Sequence, residues 1–261
     1  MNDSEIKQYW EENAEAWTAL SRAGYDVYRD HVNAPAFLKM LPLVKGQKGM
    51  DIGCGEGHNT RLVAQQGAIL TGIDISEAFI KQAISKETEH PLGIKYQVSS
   101  GQKMDFTEGS FDFCMATMSL MDMADPIKAI GEAYRVLKPG GFFQFSISHP
   151  CFATPKWKWL RDESGRKSAL ACGDYFLQPK DSIEKWIFGA APDEEKKKYP
   201  LFKTPRFTLI LSNWINFLIK AGFTIEELCE PYPDEETANK CPDVADASIV
   251  AYFLIIRCRK P

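Results

Sequence analysis

No two cysteines are spaced C-x-x-C, and the seven present, at 54, 114, 151, 172, 229, 241 and 258, are an odd number. The spacing excludes the common zinc and dithiol motifs. The scatter predicts reduced, mostly buried thiols of a cytosolic protein, not a disulfide scaffold. Histidine is scarce, four in 261 residues. His31, His58 and His90 share no metal-ligand spacing with carboxylates, so no metal is expected. A basic excess is missing too: 31 Lys and Arg stand against 35 Asp and Glu, a formal charge of −4 with a pI near 5.7. That balance gives no pull toward phosphate backbones or anionic lipid, so neither nucleic acid nor membrane is an expected partner. No apolar run approaches the ~18 residues of a membrane span. The polar, acidic opening MNDSEIKQYWEE is unlike a signal peptide. A soluble, cytoplasmic protein is expected, with its oligomeric state left open. What remains is a globular composition, 44% hydrophobic, on a chain long enough to bury a large core.

Residues 4–22 are rich in helix formers and set Ile6, Tyr9, Trp10, Trp17 and Leu20 at roughly helical spacing. A second helix is expected over about 27–41. From residue 48 a strand–helix alternation begins. Strands are expected at 48–52, 69–74, 94–98, 111–116 and 142–148. Helices lie between them: 58–66 with Gly67 as its C-cap, one capped by Ser76, and one opened by Asp125-Pro126. That alternation predicts an α/β fold, a parallel sheet with helices on both faces. The pattern breaks over 150–206, which shows no clear period but carries nine aromatics, and a segment of this length predicts a cap or inserted subdomain. A helix capped by Ser212 and ending at Ala221-Gly222 follows, then strands at 224–229 and 249–256 that can pair antiparallel.

Asp51-Ile52-Gly53-Cys54-Gly55-Glu56-Gly57 joins the first strand to its helix. Glycines there permit a sharp turn and let backbone N–H groups approach a ligand closely. Where a dinucleotide fingerprint needs its third glycine the chain has His58. Asp74 ends the second strand, 23 residues after Asp51, where an acidic side chain can accept both hydroxyls of a ribose.

Taken together, MDIGCGEG (50–57), GIDIS (72–76), EGSFDFCMATMSLMDM (108–123) and YRVLKPGGFFQFSISHP (134–150) resemble the class I S-adenosylmethionine-dependent methyltransferases of small-molecule type. The resemblance is close over 48–150 and looser to the C-terminus. It implies a Rossmann-like, seven-stranded, mostly parallel sheet with its last strand antiparallel, and S-adenosylmethionine as cofactor. It further implies that the turn of Asp51, Gly53, Cys54, Gly55 and Gly57 holds the methionine end. Asp74 would hold the ribose, with Ile75 packed on adenine and Ser76 beside it. Ser100, Gly101 and Gln102 match the segment that contacts the adenine edge, although Ser100 replaces the acid usual there. Thr117 and Met118 match positions flanking the sulfur. In similar enzymes the N-terminal arm folds over the cleft, which places Arg29 against the methionine carboxylate and Trp17 and Tyr25 as walls.

The expected division is an N-terminal helical arm or lid (1–47), an α/β core (48–149 and 207–261) and an aromatic-rich insertion over the acceptor (150–206). His149 ends a strand at the carboxyl edge and is the candidate catalytic base. Twelve basic against eight acidic side chains make the insertion net +4, which suggests an acceptor with an apolar body and a negative group. The expected activity is methyl transfer to an O, N or other nucleophile of a small molecule by in-line displacement. A non-catalytic cofactor-binding module is the alternative, and a nicotinamide-dependent oxidoreductase a further one. Nucleic-acid methylation is disfavoured, because residues 117–120 read Thr-Met-Ser-Leu and not an Asn-Pro-Pro-Tyr type of segment.

Overall fold

Two helices precede the sheet, and the first owes its start to an Asn cap. In the computed structural model, which describes residues 1–179, 182–207 and 209–261, α1 spans Asp3–Arg22. Asn2 accepts from the Ser4 and Glu5 amides while the Glu5 carboxylate accepts from the Asn2 amide, a reciprocal capping box. A π-turn (Arg29–Asn33) runs straight into α2 (Ala34–Met40), so the single expected helix over 27–41 is a composite.

The alternating part follows as β1 (Lys48–Ile52), α3 (His58–Gln65), β2 (Ile69–Asp74), α4 (Glu77–Glu89), β3 (Lys95–Val98), β4 (Phe111–Thr117), α5 (Pro126–Val136) and β5 (Leu137–Ser148). Ser76 caps α4 by accepting from the Phe79 amide, and Asp125 caps α5 with Pro126 as its first residue. After β5 come two antiparallel hairpins, β6 (Lys156–Arg161) with β7 (Lys167–Gly173), and β8 (Ser182–Trp186) with β9 (Phe202–Arg206). A short α6 (Asp193–Lys196) interrupts the second. The chain closes with α7 (Leu211–Ala221), β10 (Thr224–Cys229), α8 (Glu235–Lys240), a 3-10 segment (Pro242–Ser248) and β11 (Phe253–Arg259).

Seven strands form one sheet in the order β10-β11-β5-β4-β1-β2-β3. Its first five strands are parallel, and β11 enters antiparallel between β5 and β10. This is the expected Rossmann-like sheet. β4 is a nearly unbroken apolar run because both its faces are covered. Cys114 and Ala116 join Phe143, Phe145, Trp214 and Leu218 on one side, and Phe113 and Met115 join Phe37, Val63 and Phe142 on the other. Strand order reverses between β1 and β4, and open α/β sheets bind ligands at the carboxyl ends beside such a reversal.

Two local expectations need correction. Ser212 does not cap α7: the cap position is Ile210, with no side-chain bond, and Ser212 sits inside the first turn. The Tyr175 hydroxyl accepts from the Leu211 amide instead, a partner 36 residues away that no local pattern announces. The last strand begins at Phe253, because residues 242–248 form the 3-10 segment. Within 150–206 the described residues include two hairpins whose strands stand apart from the main sheet. Lys180 and Asp181, counted in its charge, lie outside the described residues.

At the sheet centre Phe113 stacks on Phe142 with centroids 5.2 Å apart, and a Cβ placed on Gly49 would lie 2.1 Å from the Phe113 ring. Gly49→Ala therefore overpacks the core and is expected to cost about 1–3 kcal/mol. Chemical denaturation should show that the double variant Gly49→Ala/Phe113→Leu loses less than the sum of its two single changes.

Candidate functional site

A cleft of about 760 Å³ opens at the carboxyl ends of β1, β2, β4 and β5, within the size range of ligand pockets. Its floor is the turn after β1. Gly53 takes φ +75°, and a Cβ there would lie 2.4 Å from the Ser119 side chain, whose hydroxyl donates to the Ile52 carbonyl at 2.6 Å. The Gly53 and Cys54 amides donate to the Ile73 carbonyl at 2.8 and 2.9 Å, locking the turn to β2. A Cβ on Gly55 would meet nothing within 4 Å, so the turn presents bare backbone to the cleft there.

Asp74 faces this floor. Its Oδ2 accepts from the Gly55 amide and its Oδ1 from the Ser76 amide, both at 2.9 Å. Each carboxylate oxygen keeps a further lone-pair direction, the capacity needed to accept two ligand hydroxyls. Burial pushes its pKa up to about 6, against the pull of those two amides.

Beside the turn, Glu56 is buried, with Oε2 accepting from Arg22 Nε at 3.0 Å and Oε1 left without a hydrogen-bond partner among the described residues. Arg29 approaches to 3.9 Å of that orphan oxygen and is itself braced by Asp30 at 2.7 Å and by the Ser21 hydroxyl. An unsatisfied carboxylate oxygen next to a guanidinium is the complement of a zwitterion, with an ammonium for Glu56 and a carboxylate for Arg29. His58 joins the same wall, and burial followed by the Arg29 charge lowers its pKa.

At the other end Asp3, in the first turn of α1, reaches the β3–β4 connection. The Ser100 hydroxyl donates to it at 2.7 Å and the Gln102 side-chain amide donates to its other oxygen. Trp10 and Phe79 (centroids 6.3 Å apart) and Ile75 give this end apolar walls. Between the two ends Thr117 accepts from the Asn59 side chain at 2.9 Å, and Met118 holds a left-handed φ of +54°. A non-glycine residue in that region stores strain, often at a site that uses it.

Most of the expected site residues border this cleft: Trp17, Tyr25, Arg29, Gly53, Cys54, Gly55, Asp74, Ile75, Ser100, Gly101, Gln102, Thr117 and Met118. Asp51, Gly57 and Ser76 do not. Asp51 is fully buried with Thr60 donating to it at 2.6 Å, Gly57 lies against Tyr96 where a Cβ would come within 2.6 Å of its hydroxyl, and Ser76 is the α4 cap. Trp17 has a second attachment, packing edge-on to Trp186 and Phe188 of the insertion.

His149 is also placed away from the cavity lining. Its Nδ1 accepts from the Cys151 amide at 3.2 Å, which leaves Nε2 to carry the proton and donate to Glu230 at 2.6 Å. The ring thus clamps the end of β5 to the loop after β10, and its neighbours Ser148 and Pro150 line cavities in its stead. Sequence reading missed Glu56, Asp3, Trp10, Phe79 and Asp122. Glu56 carried a signal, as the acid set between the glycines of the turn. Asp3 carried none, being 97 residues from Ser100.

Comparison with known proteins gives a consistent picture. The family model described as "Methyltransferase domain" matches residues 50–145. Demethylmenaquinone methyltransferase of Tropheryma whipplei is 33% identical over 156 residues, 58% of this chain and 64% of that protein. Ubiquinone biosynthesis O-methyltransferase of Pseudomonas aeruginosa is 36% identical over 97 residues, 37% of this chain and 42% of that one. The chain thus spans less than two thirds of the length of these curated relatives. Among solved structures, an S-adenosylmethionine-dependent methyltransferase from Mesorhizobium loti superposes with a TM-score of 0.69 at 26% identity, covering 86% of this chain and 96% of its own.

The buried acids predict a pH dependence of stability. Burial raises Asp51 to about 7, well above its value in an unfolded chain. Between about pH 4 and 7 the folded form therefore holds a proton that the unfolded form has lost, and stability falls as pH rises through that window. Asp51→Asn removes this group's share. Unfolding free energies from denaturant titration should drop less between pH 5 and pH 8 in the variant than in the wild type, by on the order of 2–4 kcal/mol.

Proposed function

We propose, from the premise that residues 50–145 form a methyltransferase domain, that this chain is an S-adenosylmethionine-dependent methyltransferase (class 2.1.1) acting on a small molecule. One observation carries the reading. A single cleft gathers a zwitterion pair (Glu56 with Arg29), a diol acceptor (Asp74) and an apolar slot edged by polar groups (Ile75 and Phe79 with Asp3, Ser100 and Gln102). These three groups match an amino acid, a ribose and a purine. The orphan Oε1 of Glu56 and the open face of Gly55 are the two features that such a ligand would satisfy.

When bound, the sulfonium supplies a methyl group on an already activated leaving group. The protein's own task is alignment and exclusion of water, which can supply several kcal/mol. Thr117 and Met118 border the centre of the cleft, where the methyl group would face the acceptor. The arm and the insertion serve as lid and roof: Ala16 and Leu20 of α1 share a small core with Phe188 and Phe202. Asn13 strengthens the seam by exchanging two hydrogen bonds, 3.0 and 2.9 Å, with the Lys203 backbone. No essential base is required of His149. Its clamp on Glu230 and its absence from the cleft lining favour a positioning role. His58 in place of a third fingerprint glycine speaks against the oxidoreductase alternative. Seven free thiols and a small-molecule acceptor agree with a cytoplasmic location.

Calorimetry tests the reading. S-adenosylhomocysteine is expected to bind the wild type. Asp74→Ala and Glu56→Gln should each weaken it about 10- to 100-fold, the worth of a hydrogen bond to a charged group. The ionised Asp74 carboxylate is the stronger acceptor, so affinity should fall as pH drops below about 6. Binding of a nicotinamide dinucleotide in place of S-adenosylhomocysteine, or full affinity in Asp74→Ala, overturns it.

A further inference from the structure

A second cavity of about 270 Å³ adjoins the main cleft, and the two share Met121, Asp122, Ser148, Glu184, Thr204, Tyr252 and Phe253 as common walls. Beyond that shared rim the smaller chamber is aromatic and aliphatic, with Phe152, Trp157, Trp159, Phe207 and Trp214 around it. Rigid rings of this kind recognise a flat apolar body.

The polar groups on the rim are mostly engaged within the protein. Arg206 donates to Glu184 at 3.0 Å and to the Ala153 carbonyl at 2.9 Å. Thr204 accepts from Trp186 Nε1 at 3.0 Å, and the Tyr252 hydroxyl donates to Asp246 at 2.9 Å. Lys167 pairs with the same Asp246. Asp122 differs. It sits in the 3-10 turn Leu120–Asp122 directly after β4, half-buried, with a carboxyl that borders both cavities and makes no hydrogen bond to the described residues. A carboxylate is an acceptor with about four lone-pair sites, so one that spends none of them on the described residues is open to a hydroxyl donor in the adjoining cavity.

We propose that the smaller chamber is the acceptor site, that the acceptor is a neutral aromatic compound bearing a phenolic hydroxyl, and that Asp122 holds that hydroxyl and takes its proton. The proposal rests on the methyltransferase reading and names the second substrate of the same site. As the acceptor oxygen gains the methyl carbon and the carbon–sulfur bond breaks, the hydroxyl proton passes to an Asp122 carboxylate oxygen and the sulfonium becomes a neutral thioether. Burial, then the nearby Glu184 charge, raise the Asp122 carboxyl well above the usual range, with Arg206 opposing, and a more basic carboxylate suits a weakly acidic phenol. The carboxyl and Glu184 at the rim also disfavour an anionic acceptor, in contrast to the net charge of the insertion. Of its lysines, Lys196, Lys197 and Lys198 are spent on Asp193, Glu194 and Glu195.

Equilibrium dialysis of the full chain saturated with S-adenosylhomocysteine, using 2-naphthol and 2-methylnaphthalene as probes of matched size, tests this. The wild type is expected to hold 2-naphthol at least tenfold more tightly. Asp122→Ala should shrink that preference below threefold while S-adenosylhomocysteine affinity stays within threefold. Equal binding of the two probes by the wild type, or an undiminished preference in Asp122→Ala, overturns the proposal. Should Asp122→Ala lose S-adenosylhomocysteine as well, the wild-type preference decides by itself. Failure of the wild type to bind S-adenosylhomocysteine is read separately, because it removes the methyltransferase reading and not the acceptor assignment alone.

Discussion

The close approach of the turn after β1 to its neighbours is the constraint on which the rest of the site depends. Ser119 presses on Gly53 from the β4 side, Tyr96 presses on Gly57 from β3, and Ile52 and Met123 press on Gly101. No side chain larger than hydrogen fits at these points without displacing a wall. The resulting backbone surface sets where Gly55 donates, therefore where Asp74 sits, therefore where a ligand's hydroxyls can go. Burial of Asp51 beneath it is part of the same arrangement, since Thr60 of α3 reaches back to that carboxyl.

A second dependence runs through α1, which is a strut more than a loose lid. Glu11 accepts from the Glu77 and Ala78 amides at the start of α4, at 2.6 and 2.9 Å, and so caps a helix of the core. Asn13 pairs with the backbone of β9, Arg22 holds Glu56, and Asp3 meets Ser100 and Gln102. One helix thus touches the core, the insertion and both ends of the cleft. Aromatic packing around Trp17 fills the seam between arm and insertion.

Much of the fold was legible because its signals are local. Alternating apolar strands, Ser76 and Asp125 as caps, and the glycine turn each act within a few residues, and the observed strands follow them closely. Failures came where partners are distant. Tyr175 replaces a side-chain cap on α7, Glu230 claims His149, and the strands of 150–206 pair as two separate hairpins across spacings that no single-strand periodicity reports. In the site, most of the expected cofactor residues border the cleft, whereas the candidate base does not.

The sequence alone determined the alternating strands and helices, the glycine turn and the place of Asp74, since these follow from chain stereochemistry and short-range spacing. Only the tertiary structure decided which charges face a ligand. Glu56 matters because burial leaves one oxygen without a hydrogen-bond partner among the described residues, Asp122 because its carboxyl borders both cavities, and Asp3 because α1 crosses the cleft. The scarcity of histidine likewise gained meaning only in three dimensions, where His149 is bound to Glu230 and carries structure in preference to chemistry. Burial and hydrogen-bond satisfaction are properties of the assembled chain, and no spacing of residues encodes them locally.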